Sequence, residues 1–249
     1  MTLEEFFAST PAAALAFSGG VDSAYLLYAA TRAGIRLRAY YVNTCFQPAF
    51  ELRHARRLAE ELGADLAVLD MDVLSDEIVR SNPPDRCYHC KRRLFTRLTE
   101  QAAADGFSVL MDGTNASDDA GDRPGMRALR ELNVVSPLRL CGLTKAEIRR
   151  RSREAGLFTA DKPAYACLAT RFPAGTALTA ELLARTERAE DALFDLGFSD
   201  FRVRYFKGAA RVQLPSAQLG LWQEKRKEIA ALLGKDYEAV LLDMVTRDE

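Results

Sequence analysis

The chain has 249 residues, 28% of them charged and 48% hydrophobic, and a net charge of −1. That length can bury one ordinary domain and a smaller one, the balance excludes a disordered or fibrous chain, and the near-neutral charge without a dominant basic block excludes a general attraction to nucleic acid. No apolar run approaches the roughly 20 residues that cross a bilayer, and the opening MTLEEFFAST is acidic where a secretory leader is basic, so the expected location is cytoplasmic, with no membrane partner.

Taken in chain order, apolar strand-like runs alternate with amphipathic helical ones. ALAF precedes a helix through YLLYAATRAG; LRAYYVN precedes ELRHARRLAEELG; ADLAVLDMD precedes a long helix through KRRLFTRLTEQAAADG; SVLMDG follows. A further helix, TKAEIRRRSREAG, opens with Thr144 and Glu147 at capping-box spacing. Strands separated by helices imply an α/β fold with a parallel, doubly wound sheet. After RFPAGT the order changes to helix (TAELLARTERAEDALFDLG), two short strands (FRVRYF, ARVQL), helix (QLGLWQEKRKEIAALLG) and strand (YEAVLLDMV), which predicts a small C-terminal α+β domain of αββαβ order. The expected division is 1–174 and 175–249.

In AFSGGVDSAYLL a buried strand ends at Phe17, a Ser-Gly-Gly turn follows, and a helix starts near Asp22 and Ser23. Gly19 and Gly20 let several amides face one anion, and the helix N-terminus adds partial positive charge. Ser18 and Ser23 offer hydroxyl donors, and Asp22 is suited to Mg²⁺ bridging phosphates. A plain strand-to-helix turn capped by Asp22 would show the same cluster, but this one ends the first strand, where open α/β sheets bind ligands. Neither the Walker nor the Rossmann glycine pattern is present.

Five cysteines in a chain without a leader do not suggest a disulfide framework. Cys87 and Cys90 form a C-x-x-C in PPDRCYHCKRR, placed just before a helix, and Cys167 lies in KPAYACLATRF; Cys45 and Cys141 each stand alone. Three thiolates can hold a [4Fe–4S] cluster at three corners and leave one iron open. Zinc held with His89 and a C-x-x-C disulfide switch also fit the pattern. Lys91, beside Cys90, is placed to stabilise developing charge, or is a solvated helix residue. In GDRPG, Arg123 suits a loop closing over an anion, and Arg171, four residues after Cys167, suits an anion contact near it; ordinary surface roles fit both.

SGGVDS resembles the PP-loop of the N-type ATP pyrophosphatases. With NPPDRCYHCK, DGTNASDDAGDRPG, KPAYACLATRFPAGT and LGFSDFRVRYF, the resemblance narrows to the LarE family of ATP-dependent sulfur transferases along nearly the whole chain. It implies α–β cleavage of ATP, AMP and pyrophosphate as products, and sulfur insertion into pyridinium-3,5-biscarboxylic acid mononucleotide on the way to a nickel-pincer cofactor. It implies an adenosine pocket near Asn43, Gly113 and Thr114–Asn115, with ATP and Mg²⁺ on Ser18, Gly19, Gly20, Asp22, Ser23 and Arg123. Having Cys87, Cys90 and Cys167, the chain is similar to the three-cysteine members that carry sulfur on a [4Fe–4S] cluster without sacrificing a cysteine. Glu190 and Arg202 match positions that family members use around a substrate phosphate and metal, with Arg204 on the same strand face and Arg171 nearby; family members often have a histidine and an acidic residue where this chain has Phe206 and Leu221, a departure that argues against a metal in the small domain. Implied partners are a mononucleotide substrate, a sulfur donor (sulfide or a cysteine desulfurase) and further copies in a homo-oligomer.

Three rival readings share some of these features. tRNA thiolation shares the PP-loop, cluster and sulfur chemistry, but predicts a basic face or an RNA-binding module that the sequence lacks. An ammonia-using amide ligase shares the loop but has no use for three cysteines. A nucleotide-binding iron–sulfur or zinc sensor predicts binding without pyrophosphate release.

Overall fold

A computed structural model describes residues 1–118 and 124–248. The chain packs into two compact units, Met1–Val73 with Asp85–Lys162, and Leu74–Pro84 with Pro163–Glu249. Residues 74–84 count with the second unit because Leu178 and Gly175 donate their amides to Arg80 (2.8 Å) and Asn82 (2.7 Å), while Asn82 Nδ2 donates to Pro173 O (3.0 Å).

The first unit runs α1 (Leu3–Ser9), β1 (Ala12–Ala16), α2 (Val21–Arg32), β2 (Arg36–Asn43), α3 (Ala49–Leu62) and β3 (Leu66–Asp70). The short α4 (Glu77–Ser81) of the second unit follows, and the first unit resumes with α5 (Arg86–Ala104), β4 (Leu110–Met111), α6 (Pro124–Glu131), α7 (Pro137–Leu140) and α8 (Lys145–Glu154). The four strands are parallel in the order β3-β2-β1-β4. Parallel pairs require crossover connections, and a sheet clad on both faces has strands that read as unbroken apolar runs, as AAALA in β1 does. Ala13 and Leu15 enter a core with Leu26, Leu27, Leu58 and Ile148; Ala14 faces the opposite core, with Tyr40, Leu98, Ala102 and Leu110. The doubly wound sheet expected from the alternation is the one observed. Because β1 has β2 on one side and β4 on the other, strand order reverses at its carboxyl end, the place where such sheets leave a crevice.

The second unit adds a 3₁₀ turn (Leu168–Arg171), α9 (Ala180–Asp195), β5 (Arg202–Phe206), β6 (Ala209–Gln213), α10 (Leu219–Leu233) and β7 (Val240–Leu242). This is the expected αββαβ order, with β5 and β6 antiparallel and β7 parallel to β6. Val203, Ala210 and Val212 face a core with Leu193, Ile229 and Leu233, which leaves Arg202 and Arg204 on the other sheet face.

Local differences from the sequence reading have local causes. The strand in SVLMDG shrinks to Leu110–Met111 because Asp112 N–H bonds Val135 O (2.9 Å) instead of β1. The C-x-x-C lies within the first five residues of α5, not before it, since Asp85 O already accepts Tyr88 N–H (2.8 Å). Thr144 caps Glu147 N–H (3.3 Å), whereas the Glu147 carboxylate turns to Arg150 and Arg151. A full capping box stands instead at Thr2 and Glu5.

Candidate active site

In the first unit the SGG turn leaves β1 and enters α2 with Gly20 as N-cap. Gly19 has φ +72°, a left-handed conformation that a side chain rarely adopts. Ser18 and Ser23 lace the loop: their hydroxyls lie 3.0 Å apart, Ser18 N–H donates to Ser23 Oγ (3.3 Å), and Ser23 Oγ–H donates to Gly20 O (3.2 Å). The donors among these groups, the Ser18 amide and the two serine hydroxyls, can exchange their partners for an anion at the α2 N-terminus.

Asp22, on the first turn of α2, accepts a hydrogen bond from Lys145 Nζ at 2.6 Å through Oδ2, while its buried Oδ1 has no partner among the described residues. A carboxylate oxygen sequestered without a donor is costly, and a divalent cation satisfies it. The residues present therefore fit Mg²⁺.

Gly113 stands at the end of β4, on the far side of the crevice. A Cβ there would come within 2.8 Å of Ser23 N and 3.1 Å of its Cα, so the close approach Gly113 makes within the unit is to the backbone of α2. Asp112, buried beside it, accepts from Thr114 Oγ1 and from Ser136 Oγ (2.6 Å) and so ties the MDGTN turn to the loop before α7. A small apolar cavity of about 130 Å³ adjoins Ser18, lined by Phe17, Tyr41, Val42, Gln47, Phe95 and others, and the buried Tyr41 hydroxyl has no partner among the described residues. Asn43 and Gly113 are not in that lining; Asn43 donates to Asp70 Oδ1 (2.7 Å) instead. Arg123 lies outside the described residues.

Sequence reasoning did not single out Lys145, Lys162 or Arg86. Lys162 Nζ lies 2.5 Å from Glu51 Oε2 and 3.3 Å from Gly19 O, holding the loop from beneath. Burial pushes the Glu51 carboxyl above its ordinary range, with Lys162 opposing. Lys145 carried a readable signal: a lysine at the first position of a helix opposes the helix dipole, and such a position asks for a reason.

On α5, Cys87 is exposed and Cys90 buried, and the buried Arg86 guanidinium reaches Cys87 Sγ at 3.6 Å. His89 turns to Asp85 (3.2 Å). Lys91 lays its aliphatic stem over Gly125 in α6, where a Cβ would come within 2.9 Å. All five cysteines are unbridged thiols. Among the described residues no group of three or more His, Cys, Asp or Glu side chains is gathered to hold a metal ion. The donor set is still chemically apt: two soft thiols three apart on one helical turn and a third on a loop are ligands that zinc and iron–sulfur clusters take.

In the second unit Cys167 precedes the 3₁₀ turn, and its surroundings hang on one buried ion pair. Arg171 Nε and Nη2 donate to the two Glu190 oxygens (2.7 and 3.1 Å), with side chains 1% and 2% exposed. Glu190 also accepts from Tyr165 Oη and from Val203 N–H (3.0 Å). Arg171 Nη1 donates to Ala166 O (3.1 Å), fixing the residue before Cys167. Burial, reinforced by the Glu190 charge, pushes the Tyr165 phenol well above its ordinary range. Arg202, also buried, donates to Phe201 O (2.6 Å) and Ala164 O, with Asp200 only at 3.8 Å. Burial, with the charges of Arg171 and Arg247, pulls its guanidinium down to about 10. Arg204 reaches Gln213 Oε1 at 3.3 Å, and burial lowers it too, Arg171 and Arg211 adding to the effect. Glu190 and Arg171 thus satisfy each other, whereas Arg202 and Arg204 lack a close carboxylate and favour an added anion.

A parallel sheet with a glycine-bent, serine-laced anion loop at its switch point, an unsatisfied carboxylate beside it and no Walker lysine defines a PP-loop nucleotide enzyme. Residues 12–83 match the family model of the queuosine biosynthesis protein QueC. The chain is 36% identical to pyridinium-3,5-bisthiocarboxylic acid mononucleotide synthase of Lactiplantibacillus plantarum, over 83% of this chain and 75% of the relative, and 36% identical to an uncharacterized protein of Synechocystis over 87% and 81%. It is 26% identical to the tRNA-specific 2-thiouridylase MnmA of a Thermotoga over 59% and 53%. The chain belongs to the LarE family of PP-loop, ATP-dependent sulfur transferases.

Proposed function

We propose that the chain adenylates a carboxylate of pyridinium-3,5-biscarboxylic acid mononucleotide and replaces its oxygen by sulfur, releasing AMP and pyrophosphate, in the biosynthesis of a nickel-pincer cofactor. The observation that carries the reading is the PP-loop at the β1 switch point with Asp22 Oδ1 beside it, unpartnered among the described residues. Ser18, Gly19, Gly20 and Ser23 bind the β- and γ-phosphates through amides and hydroxyls, and Asp22 holds Mg²⁺. Gly113 and Asn43 border the nucleotide, with Arg123 reaching over its phosphates. The substrate oxygen attacks the α-phosphorus and pyrophosphate leaves; adenylation turns a poor leaving group into AMP. Sulfur then attacks the acyl carbon.

Cys87, Cys90 and Cys167 hold the sulfur carrier. A [4Fe–4S] cluster bound by the three would supply an iron with an open position for exogenous sulfide from a sulfur donor. Lys91 stabilises developing charge, and Arg171 with Glu190 orients the Cys167 loop. Arg202 and Arg204 take the substrate phosphate, a role supported by their shortage of carboxylate partners. The domain beyond residue 174 serves substrate binding and oligomer contacts, and the enzyme works in the cytoplasm. Among the described residues no helix is long and apolar enough to cross a membrane.

The test is anaerobic purification with iron, acid-labile sulfide and zinc measured per chain, for the wild type and for Cys87→Ala, Cys90→Ala and Cys167→Ala, followed by assay of ATP-dependent sulfur insertion. About four irons and four sulfides, lost in each variant, support the cluster. Zinc alone, or no metal, sinks the cluster but leaves adenylation standing. Failure to release pyrophosphate with any carboxylated pyridinium nucleotide sinks the whole reading.

A further inference from the structure

Lys145 is held by α8, whose N-cap is Thr144 and whose first residue is Lys145 itself. A positive charge there faces the positive end of the helix dipole and weakens the helix locally, so the position is costly for a lysine without a task. Its backbone N–H donates to Ser117 Oγ (3.0 Å) in the loop after β4, which sets where the side chain starts. Its ammonium reaches across to α2 and bonds Asp22 Oδ2 at 2.6 Å. The other Asp22 oxygen is buried and has no partner among the described residues. An ammonium with three donors is therefore spending one on a carboxylate that still lacks half of its satisfaction. Both side chains keep some solvent access, 33% for Lys145 and 21% for Asp22, so the pair can separate without opening a core.

We propose that Lys145 is a phosphate-binding residue that occupies the place of the divalent cation at Asp22 until nucleotide arrives, and then moves to a phosphate oxygen while the cation takes Asp22. The proposal rests on the PP-loop reading above and adds to it the residue and the exchange. A monovalent ammonium satisfies one carboxylate oxygen, whereas Mg²⁺ would bring higher charge, and one carboxylate with the nucleotide phosphates is enough protein and substrate for it to hold, water supplying its remaining ligands. Once the cation neutralises Asp22, the ammonium loses its partner within reach of an incoming polyanion. The exchange moves one cation into the loop and keeps the lysine's charge beside the phosphates, where it favours departure of pyrophosphate. No covalent step is added.

The proposal predicts opposite signs for two affinities, which a merely structural role does not. With Mn²⁺ as the probe and no nucleotide, followed by its electron paramagnetic resonance signal, Lys145→Gln binds the metal about tenfold more tightly than the wild type, because the competing ammonium is gone. With α,β-methylene ATP and Mg²⁺ in a calorimeter, the same variant binds nucleotide at least about tenfold more weakly, the worth of one charge-assisted hydrogen bond. Lys145→Arg keeps most of the nucleotide affinity, and Asp22→Asn loses the metal. Parallel weakening of both affinities in Lys145→Gln, or unchanged nucleotide binding, overturns the proposal while leaving the PP-loop reading intact. If the wild type itself binds no nucleotide, that reading fails and this one with it.

Discussion

The PP-loop and the Glu190 cluster both gather charge, yet they treat it in opposite ways. Around Glu190 every oxygen is used: Arg171 takes both, and Tyr165 and the Val203 amide complete the set, with the pair almost wholly buried. Around Asp22 one oxygen holds a partly exposed lysine and the other holds nothing among the described residues. A saturated buried pair has no capacity for a ligand and serves to fix what it touches, here the Ala166 carbonyl before Cys167. A partly exposed pair with a carboxylate oxygen to spare is free to rearrange.

The largest test breaks the saturated side. Arg171→Met leaves Glu190 buried without its cation, and removal of one partner of such a pair costs about 3–5 kcal/mol. Trp222, the single tryptophan, stacks edge-on against Phe198 in the same unit, so its fluorescence during urea unfolding reads this loss directly. The pair replacement Arg171→Met with Glu190→Leu should recover most of it, since no charge is stranded. A loss below about 1 kcal/mol would mean that the pair is not the fixture its geometry describes.

Asp22→Asn should do the reverse. Stability falls by no more than about 1 kcal/mol, because only one partly exposed ion pair is lost and the uncharged amide costs less to leave unpaired than a carboxylate oxygen. Pyrophosphate release falls about 10²–10³-fold, equivalent to about 2.7–4 kcal/mol, because the metal loses its anchor at the developing charge. Quenched-flow measurement of pyrophosphate separates this from a folding defect.

Gly113→Ala lies between the two. Its Cβ would press to 2.8 Å on Ser23 N, an atom of the α2 backbone that cannot swing aside. Overpacking of this kind costs about 1–3 kcal/mol and displaces the first turn of α2, so both the unfolding midpoint by circular dichroism and nucleotide affinity should fall together. A change in affinity alone would assign Gly113 to the nucleotide and not to the helix.

How much of this was legible beforehand follows from where the information lies. The PP-loop is a local device: strand, Ser-Gly-Gly and helix N-terminus are consecutive, and the φ of Gly19 is the one its residue type announces. The alternation of β1 to β3 with their helices was equally plain, since hydrophobic period is a local property. Lys145 stands out locally as a lysine at a helix start, but its pairing with Asp22, 123 residues away, and that of Lys162 with Glu51, 111 away, were not legible, because no window of sequence contains both partners. Arg171 reads from the sequence as an anion contact near Cys167 and Glu190 as a partner of Arg202 at a substrate phosphate, and only the fold shows that Arg171 and Glu190 bond each other. Residues 74–84 precede the C-x-x-C in sequence yet pack on the loop at 173–178, a pairing set by two backbone hydrogen bonds and the Asn82 amide, whose partners lie about 90 residues away in sequence.

The smallest expected effect concerns His54, whose ring nitrogen Nδ1 is a second buried polar atom without a hydrogen bond among the described residues. Its ring meets Phe50 and Phe158 edge-on at 5.6 and 5.7 Å, and its buried Nδ1 has no hydrogen bond among the described residues. Burial lowers its pKa, and the charges of Lys162, Arg53 and Arg57 lower it further. A base whose folded pKa lies below its unfolded value of about 6.5 contributes stability that is fully present above that pH and is lost as pH falls through the folded value. Between pH 7.5 and 5.5 the wild type should therefore lose more thermal stability than His54→Leu, whatever the variant's absolute melting temperature. Parallel melting curves across that range would show that the imidazole is not held neutral. They would also limit the contrast between unsatisfied and saturated charge to Asp22 and Glu190, since His54 would then be an ordinary aromatic neighbour of Phe158.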